Sequence, residues 1–109
     1  MIPVASGAQA HELWTSAAGD YRVAVAAHLT GLATAATDLA WRYAVERKAF
    51  GSPIAGFQAI SHTLVDCVAA TDTARNLTRR ASWLHEHEPR CRPGLSAMAL
   101  TFAASTPPG

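Results

Sequence analysis

Between Gly19 and Tyr43 the apolar residues Ala24, Val25, Leu29, Leu32, Ala36, Leu39 and Tyr43 recur mostly in steps of three and four, which only a helix can gather onto one face. Ala26, Ala33, Ala40 and Ala44 widen that face with side chains small enough to let a neighbour come close. Asp38 and Arg42 have the spacing of an i,i+4 pair on the solvent side, worth a few tenths of a kcal/mol. Gly51 and Pro53 form a stop signal: glycine can adopt the left-handed conformation at C′, and proline cannot continue the helix. A second helical period opens near Phe57 and runs to about His87. Phe57, Ile60, Leu64, Cys67, Val68, Thr71, Ala74, Leu77, Ala81 and Leu84 form its inner side, and Pro89 and Pro93 end it and bracket a loop. A connection of about five residues forces the two helices antiparallel.

A third, shorter helix is expected over 95–104, with Leu95, Met98, Ala99 and Phe102 inward. Residues 1–18 carry Pro3, Gly7 and no sustained period, so they are expected to form a loop or an arm, and 105–109 a tail. No strand-like alternation is visible. The expected fold class is therefore all-α: a long antiparallel helical hairpin plus a short third helix. That set is one long helix short of a four-helix bundle, and its open apolar side implies self-association or docking on a partner.

Composition narrows the function classes. Half of the 109 residues are hydrophobic, 16% are charged, and the formal net charge is +1, which excludes a disordered charged tail. Arg75, Arg79 and Arg80 sit near Asp66, Asp72 and Glu86 and read as a solvated face, not as a nucleic-acid surface. The strongly apolar runs fall short of the roughly 20 residues of a membrane span. Met1 is followed by no basic n-region, and Cys67 and Cys91 lack metal-type spacing. A cytoplasmic protein with two reduced thiols is the expectation, with no membrane and no nucleic-acid partner. His85-Glu86-His87 does not have the spacing that puts two ligands on one helical face, so no metal site is expected; His28 and His62 are expected within or beside the hairpin packing.

The connection itself is more specific than a turn needs to be. The stretch YAVERKAFGSPIAGFQAISH of residues 43–62 resembles the segment joining the first two helices of the C-terminal domain of acyl-CoA dehydrogenases, flavoproteins that oxidise acyl-CoA to enoyl-CoA. DLAWRYA (38–44), ARNLTRRASW (74–83) and AMALTFA (97–103) follow in the same order, so the likeness covers about residues 19–104. It implies an incomplete version of that family's C-terminal four-helix bundle. It also implies an FAD-contacting turn that reaches across a subunit interface.

In that turn Arg47 would offer a planar charged fork to the pyrophosphate, Phe50 on the same helical face an apolar surface, and Gly51 a bend without a Cβ. Gln58 would stand at the start of the next helix, whose first N–H groups favour a phosphate. The resemblance further implies backbone contacts at Lys48 and Ala49, a side-chain contact at Phe57, and a substrate contact at Arg22. The family's catalytic glutamate lies in most members on a segment later than this sequence, so no catalytic residue is expected and acyl-CoA would be met only in a complex. Leu100 replaces the lysine usual in the family, implying altered surroundings for the third helix.

Two classes of function remain. One is a C-terminal-domain fragment or split subunit that supplies FAD-contacting and oligomerisation surface, within a homo-oligomer or to a companion dehydrogenase subunit. The other is a non-catalytic helical interaction module, or a gene remnant, without cofactor binding. Flavin-dependent oxidases and monooxygenases of the same architecture leave the reaction within the superfamily open.

Overall fold

A computed structural model of the chain describes residues 1–88, 90 and 92–105, Arg92 by its backbone alone. The expected stop at Pro89, the thiol of Cys91 and residues 106–109 of the tail lie outside the described residues. Three helices dominate: α1 (Gly7–Glu46), α2 (Gln58–His87) and α3 (Arg92–Ser105). α1 and α2 run antiparallel and α3 packs on both, as the all-α reading required. Pro93 does not bracket the loop. It lies in the first turn of α3, where its missing N–H would have no intrahelical partner anyway.

The first correction concerns the amino-terminal arm, because residues 7–18 are helical and continue α1 to a length of 40 residues, about 60 Å. Ala8, Gln9, Ala10, Glu12, Leu13, Ala17 and Ala18 are strong helix formers, and elongating an existing helix avoids the cost of nucleation. The segment shows no amphipathic period because little packs on it: Gly19 already meets His85 near the end of α2, so the turns before it overhang, with Leu13 and Trp14 exposed.

The second correction concerns the inner face of α1. The residues buried there are Gly19, Ala26, Thr30 and Ala44, with Val23 and Leu29 partly covered, whereas Ala24, Leu32, Ala36, Leu39 and Tyr43 are exposed. The helix has two apolar faces, and the one with the clearer period is not the one this chain covers. On α2 the expected inner side holds for Leu64, Thr71, Ala74, Ala81 and Leu84, joined by Thr78, while Val68 and Phe57 remain largely exposed. Ala99, Ser96 and Ala103 form the buried side of α3, and Met98 points outward. Leu100 packs against the cluster of Ala26, Ala81, Ala99 and Ala103, which gives the unexpected leucine a structural role.

These helix contacts are built from small side chains. The largest fully buried one is Ser96. Thr30 Oγ1 donates to the Ala26 carbonyl (2.7 Å) and faces Thr78 Oγ1 at 3.4 Å. Two turns further on, Thr37 Oγ1 donates to the Ala33 carbonyl (2.8 Å) and faces Thr71 Oγ1 at 3.5 Å. Thr30 and Thr37 thus each have an acceptor on their own helix, and Thr78 and Thr71 have the facing hydroxyl as partner, so burying these groups costs little. Arg75 ties α2 to α1 by donating to Thr34 Oγ1 (3.0 Å) while paired with Asp72 (2.9 Å). The Asp38–Arg42 pair takes another form, Arg42 Nε donating to the Asp38 carbonyl at 3.4 Å. His28 and His62 are exposed, not within the packing.

A third correction follows from the second apolar face. α1 contains an 18-residue window of mean hydropathy 1.3, long and apolar enough by length and composition to cross a membrane. Alanine, threonine and glycine dilute any visible apolar run, yet carry almost no charge. Only 11% of that window is buried within the chain.

Candidate functional site

The connection from α1 to α2 occupies residues 47–57 and is more structured than a five-residue turn. Arg47 caps α1 by donating its N–H to the Tyr43 carbonyl (2.8 Å) and leaves the helix with φ −73° and ψ 125°. Two short strands follow, β1 (Lys48–Ala49) and β2 (Ser52–Pro53), antiparallel with Lys48 opposite Pro53 and Ala49 opposite Ser52. Phe50 and Gly51 link them, both with positive φ, 52° and 85°. That is the pattern of a type I′ hairpin, whose twist suits the flanking strands. The expectation of helix up to Phe50 is corrected here: Arg47 sits at the helix end and Phe50 at the hairpin tip. Gly51 has its left-handed conformation in the turn, not at C′ of α1.

The Ile54 N–H donates to the Arg47 carbonyl (2.8 Å), so Lys48 and Pro53 make the non-hydrogen-bonded pair of the ladder. Pro53 is tolerated there because it has no N–H to offer. Lys48 thereby turns its backbone groups outward, whereas those of Ala49 face Ser52. A 3₁₀ turn over Ile54–Gly56 then packs against the ends of both helices, and Phe57 precedes α2.

The tip carries an open surface. Phe50 is 98% exposed and Phe57 37%, and their rings meet edge to face with centroids 6.3 Å apart. Arg47, Lys48 and Gln58 are all exposed. No side chain caps α2; the Ile60 and Ser61 N–H groups both donate to the Phe57 carbonyl (3.0 Å), and those of Gln58 and Ala59 have no acceptor within the helix. A phenylalanine at φ 52° is costly, since few residues besides glycine and asparagine adopt that conformation without strain. The cost is not recovered by burial, because the ring stands in solvent. Phe50→Asn is therefore expected to stabilise the chain by about 1 kcal/mol, read as a rise in denaturation midpoint.

Arg22 is elsewhere. It lies half-buried on α1, roughly 36 Å along the helix from its end, so the structure does not bring it to the tip. Sequence reasoning missed a polar contact at that same end of the molecule: His85 Nε2 lies 2.6 Å from Asp20 Oδ1, tying α2 to α1, with the imidazole 13% exposed. A glycine more than three turns into a helix, Gly19, was the available signal, because the His85 ring occupies the space its Cβ would need. Among the described residues no three metal-ligating side chains come together.

Long antiparallel helices crossed by a third, with an uncapped helix start and a charged hairpin at one end, define a helical arrangement of the bundle-building kind. Residues 12–106 match the family model described as "Acyl-CoA dehydrogenase, C-terminal domain". The chain belongs to that family. A probable acyl-CoA dehydrogenase, YngJ, of Bacillus subtilis (strain 168) is 46% identical over 66 residues, 61% of this chain and 17% of that protein. Benzylmalonyl-CoA dehydrogenase of Aromatoleum aromaticum is 41% identical over 90 residues, 83% of this chain and 24% of the relative. Human mitochondrial short-chain specific acyl-CoA dehydrogenase is 39% identical over 85 residues, 78% and 20%. The chain thus spans a quarter or less of the length of these relatives.

Proposed function

We propose that this chain works within an acyl-CoA dehydrogenase assembly, where its hairpin contacts the adenosine-diphosphate part of an FAD carried mainly by another subunit. The observation that carries the reading is Phe50, a strained and fully exposed aromatic at the tip of a structured turn that also carries the exposed Arg47 and leads to an uncapped helix start. Strain that the fold itself does not need suggests a ligand contact. The family's members are flavoproteins, and the residues present suit a dinucleotide. Arg47 would pair with the pyrophosphate, the outward backbone groups of Lys48 and the first N–H groups of α2 would add donors, Gln58 would bond to polar edges, and Phe50 with Phe57 would cover an apolar face. When bound, the flavin supplies hydride acceptance from the acyl chain. The chain's own part is to hold the nucleotide end and to keep water from that side.

The experiment is co-expression with a full-length acyl-CoA dehydrogenase and measurement of flavin absorbance per complex. Arg47→Ala is expected to weaken flavin retention about tenfold or more, the size of one lost charge-assisted hydrogen bond. Phe50→Asn is expected to weaken retention while it raises stability, a combination that a purely structural role for Phe50 does not produce. Retention unchanged in both variants sinks the proposal. The chain alone with added FAD is expected to oxidise no acyl-CoA.

A further inference from the structure

Lysine occurs once in the 109 residues, at position 48, and the other eight of the nine basic side chains are arginine. The difference is chemical. A guanidinium stays protonated, whereas an ammonium that gives up its proton becomes an amine able to attack an activated carbonyl. The chain's one side-chain amine stands in the candidate site. Lys48 is exposed on β1 while Ala49 is half-buried, the alternation of a strand, so the Lys48 side chain points away from the body of the molecule. Its Nζ has no hydrogen-bond or ion-pair partner among the described residues. No Asp or Glu lies between Glu46 and Asp66, so Arg47 and Lys48 are the two formal charges of the connection and of the first turns of α2.

We propose that Lys48 is an acylation site: an acyl thioester transfers its acyl group to Nζ, and the neutral amide that results loosens the hold of the hairpin on flavin. The effect on flavin rests on the function proposed above, while the labelling rests on Lys48 alone. In the transfer the unprotonated Nζ attacks the thioester carbonyl carbon, a C–N bond forms and the C–S bond breaks. The thiol leaves with the proton that the nitrogen gives up, so no further reactant is needed. Two features favour this amine over one elsewhere on the surface. A coenzyme A thioester carries phosphates, and the adjoining exposed Arg47 offers them a charged fork. Phe50 and Phe57, on the same turn, offer an acyl chain apolar surface. Acylation then takes the connection from two positive charges to one and sets an acyl chain where the dinucleotide would lie. A thioester left unoxidised thereby weakens the grip on the cofactor that would oxidise it.

The probe is acetyl-CoA, which has no β carbon and so cannot itself be dehydrogenated. After incubation with the chain, hydroxylamine clears any thioester from Cys67 or Cys91, and peptide mass spectrometry locates the acetyl amide. Lys48 is expected to be labelled about threefold or more faster than position 35 in Ala35→Lys, which is exposed on α1 away from the connection. In the complex with a full-length dehydrogenase, the same treatment is expected to lower flavin per complex about threefold, the size of one surface charge contact. The Lys48→Arg complex, compared with its own untreated sample, should lose much less, because the lysines of the companion are the same in both. Lys48→Gln carries a neutral amide from the start and should retain flavin as poorly as the acetylated chain. Equal labelling at the two positions overturns the proposal, as does an equal flavin loss, or none, in the wild-type and Lys48→Arg complexes. If Arg47→Ala still loosens flavin in that case, the function proposed above stands without the acylation; if Arg47→Ala changes nothing either, both fall.

Discussion

Ala26→Leu is expected to destabilise the chain by about 3 kcal/mol, and Ala99→Leu by a similar amount. Both alanines are fully buried and belong to one cluster with Ala81 and Ala103. A leucine there adds three carbons between helices that approach closely only because methyl groups meet methyl groups, so α1 or α3 must move away and give up contacts along its length. Leucine and alanine have similar helix propensity, so nearly the whole effect comes from packing. The control is Ala35→Leu on the exposed side of α1, expected to change stability by less than about 0.5 kcal/mol. Denaturation at a fixed chain concentration would measure all three, since any association makes stability depend on concentration. If Ala26→Leu and Ala35→Leu unfold at the same midpoint, the tight seam described above does not exist.

The second large effect is expected at Gly19. A Cβ built there lies 2.6 Å from His85 Cε1 and 3.1 Å from Nδ1, closer than real contacts allow. Gly19→Val must therefore displace the imidazole and break its 2.6 Å contact with Asp20. About 2 kcal/mol of destabilisation is expected, the loss of a half-buried polar contact together with its packing. In a His85→Ala background the obstacle is gone. The same substitution should then be neutral or slightly stabilising, because glycine is a poor helix former. A double-mutant cycle reads the difference as a coupling of about 2 kcal/mol. Equal effects of Gly19→Val in both backgrounds would show that the ring does not fill that space.

Helices were legible in the sequence to different degrees, for identifiable reasons. α2 is amphipathic in the ordinary way, and its ends and most of its buried positions follow from the period. α1 has two apolar faces. The larger residues mark the one this chain leaves open, while the covered face is made of alanine, threonine and glycine, which hydropathy hardly distinguishes from surface. The overhang of residues 7–18 escaped a search for periodicity because it is helical by propensity and continuity. At the turn, residue types were informative and geometry was not: a charged and aromatic cluster was visible, but a two-residue hairpin with phenylalanine at positive φ is not what local preference favours. That departure from local preference is itself the mark of the candidate site.

Since Ser96 is the bulkiest side chain fully enclosed, each helix crossing brings backbones near one another but removes little hydrocarbon from water. The aromatic and aliphatic bulk, including Trp41, Val65 and Trp83, faces away from the molecule's own interior. Such a chain is expected to hold little stability in its own interior, and a low denaturation midpoint for the isolated chain is the measurable sign of it.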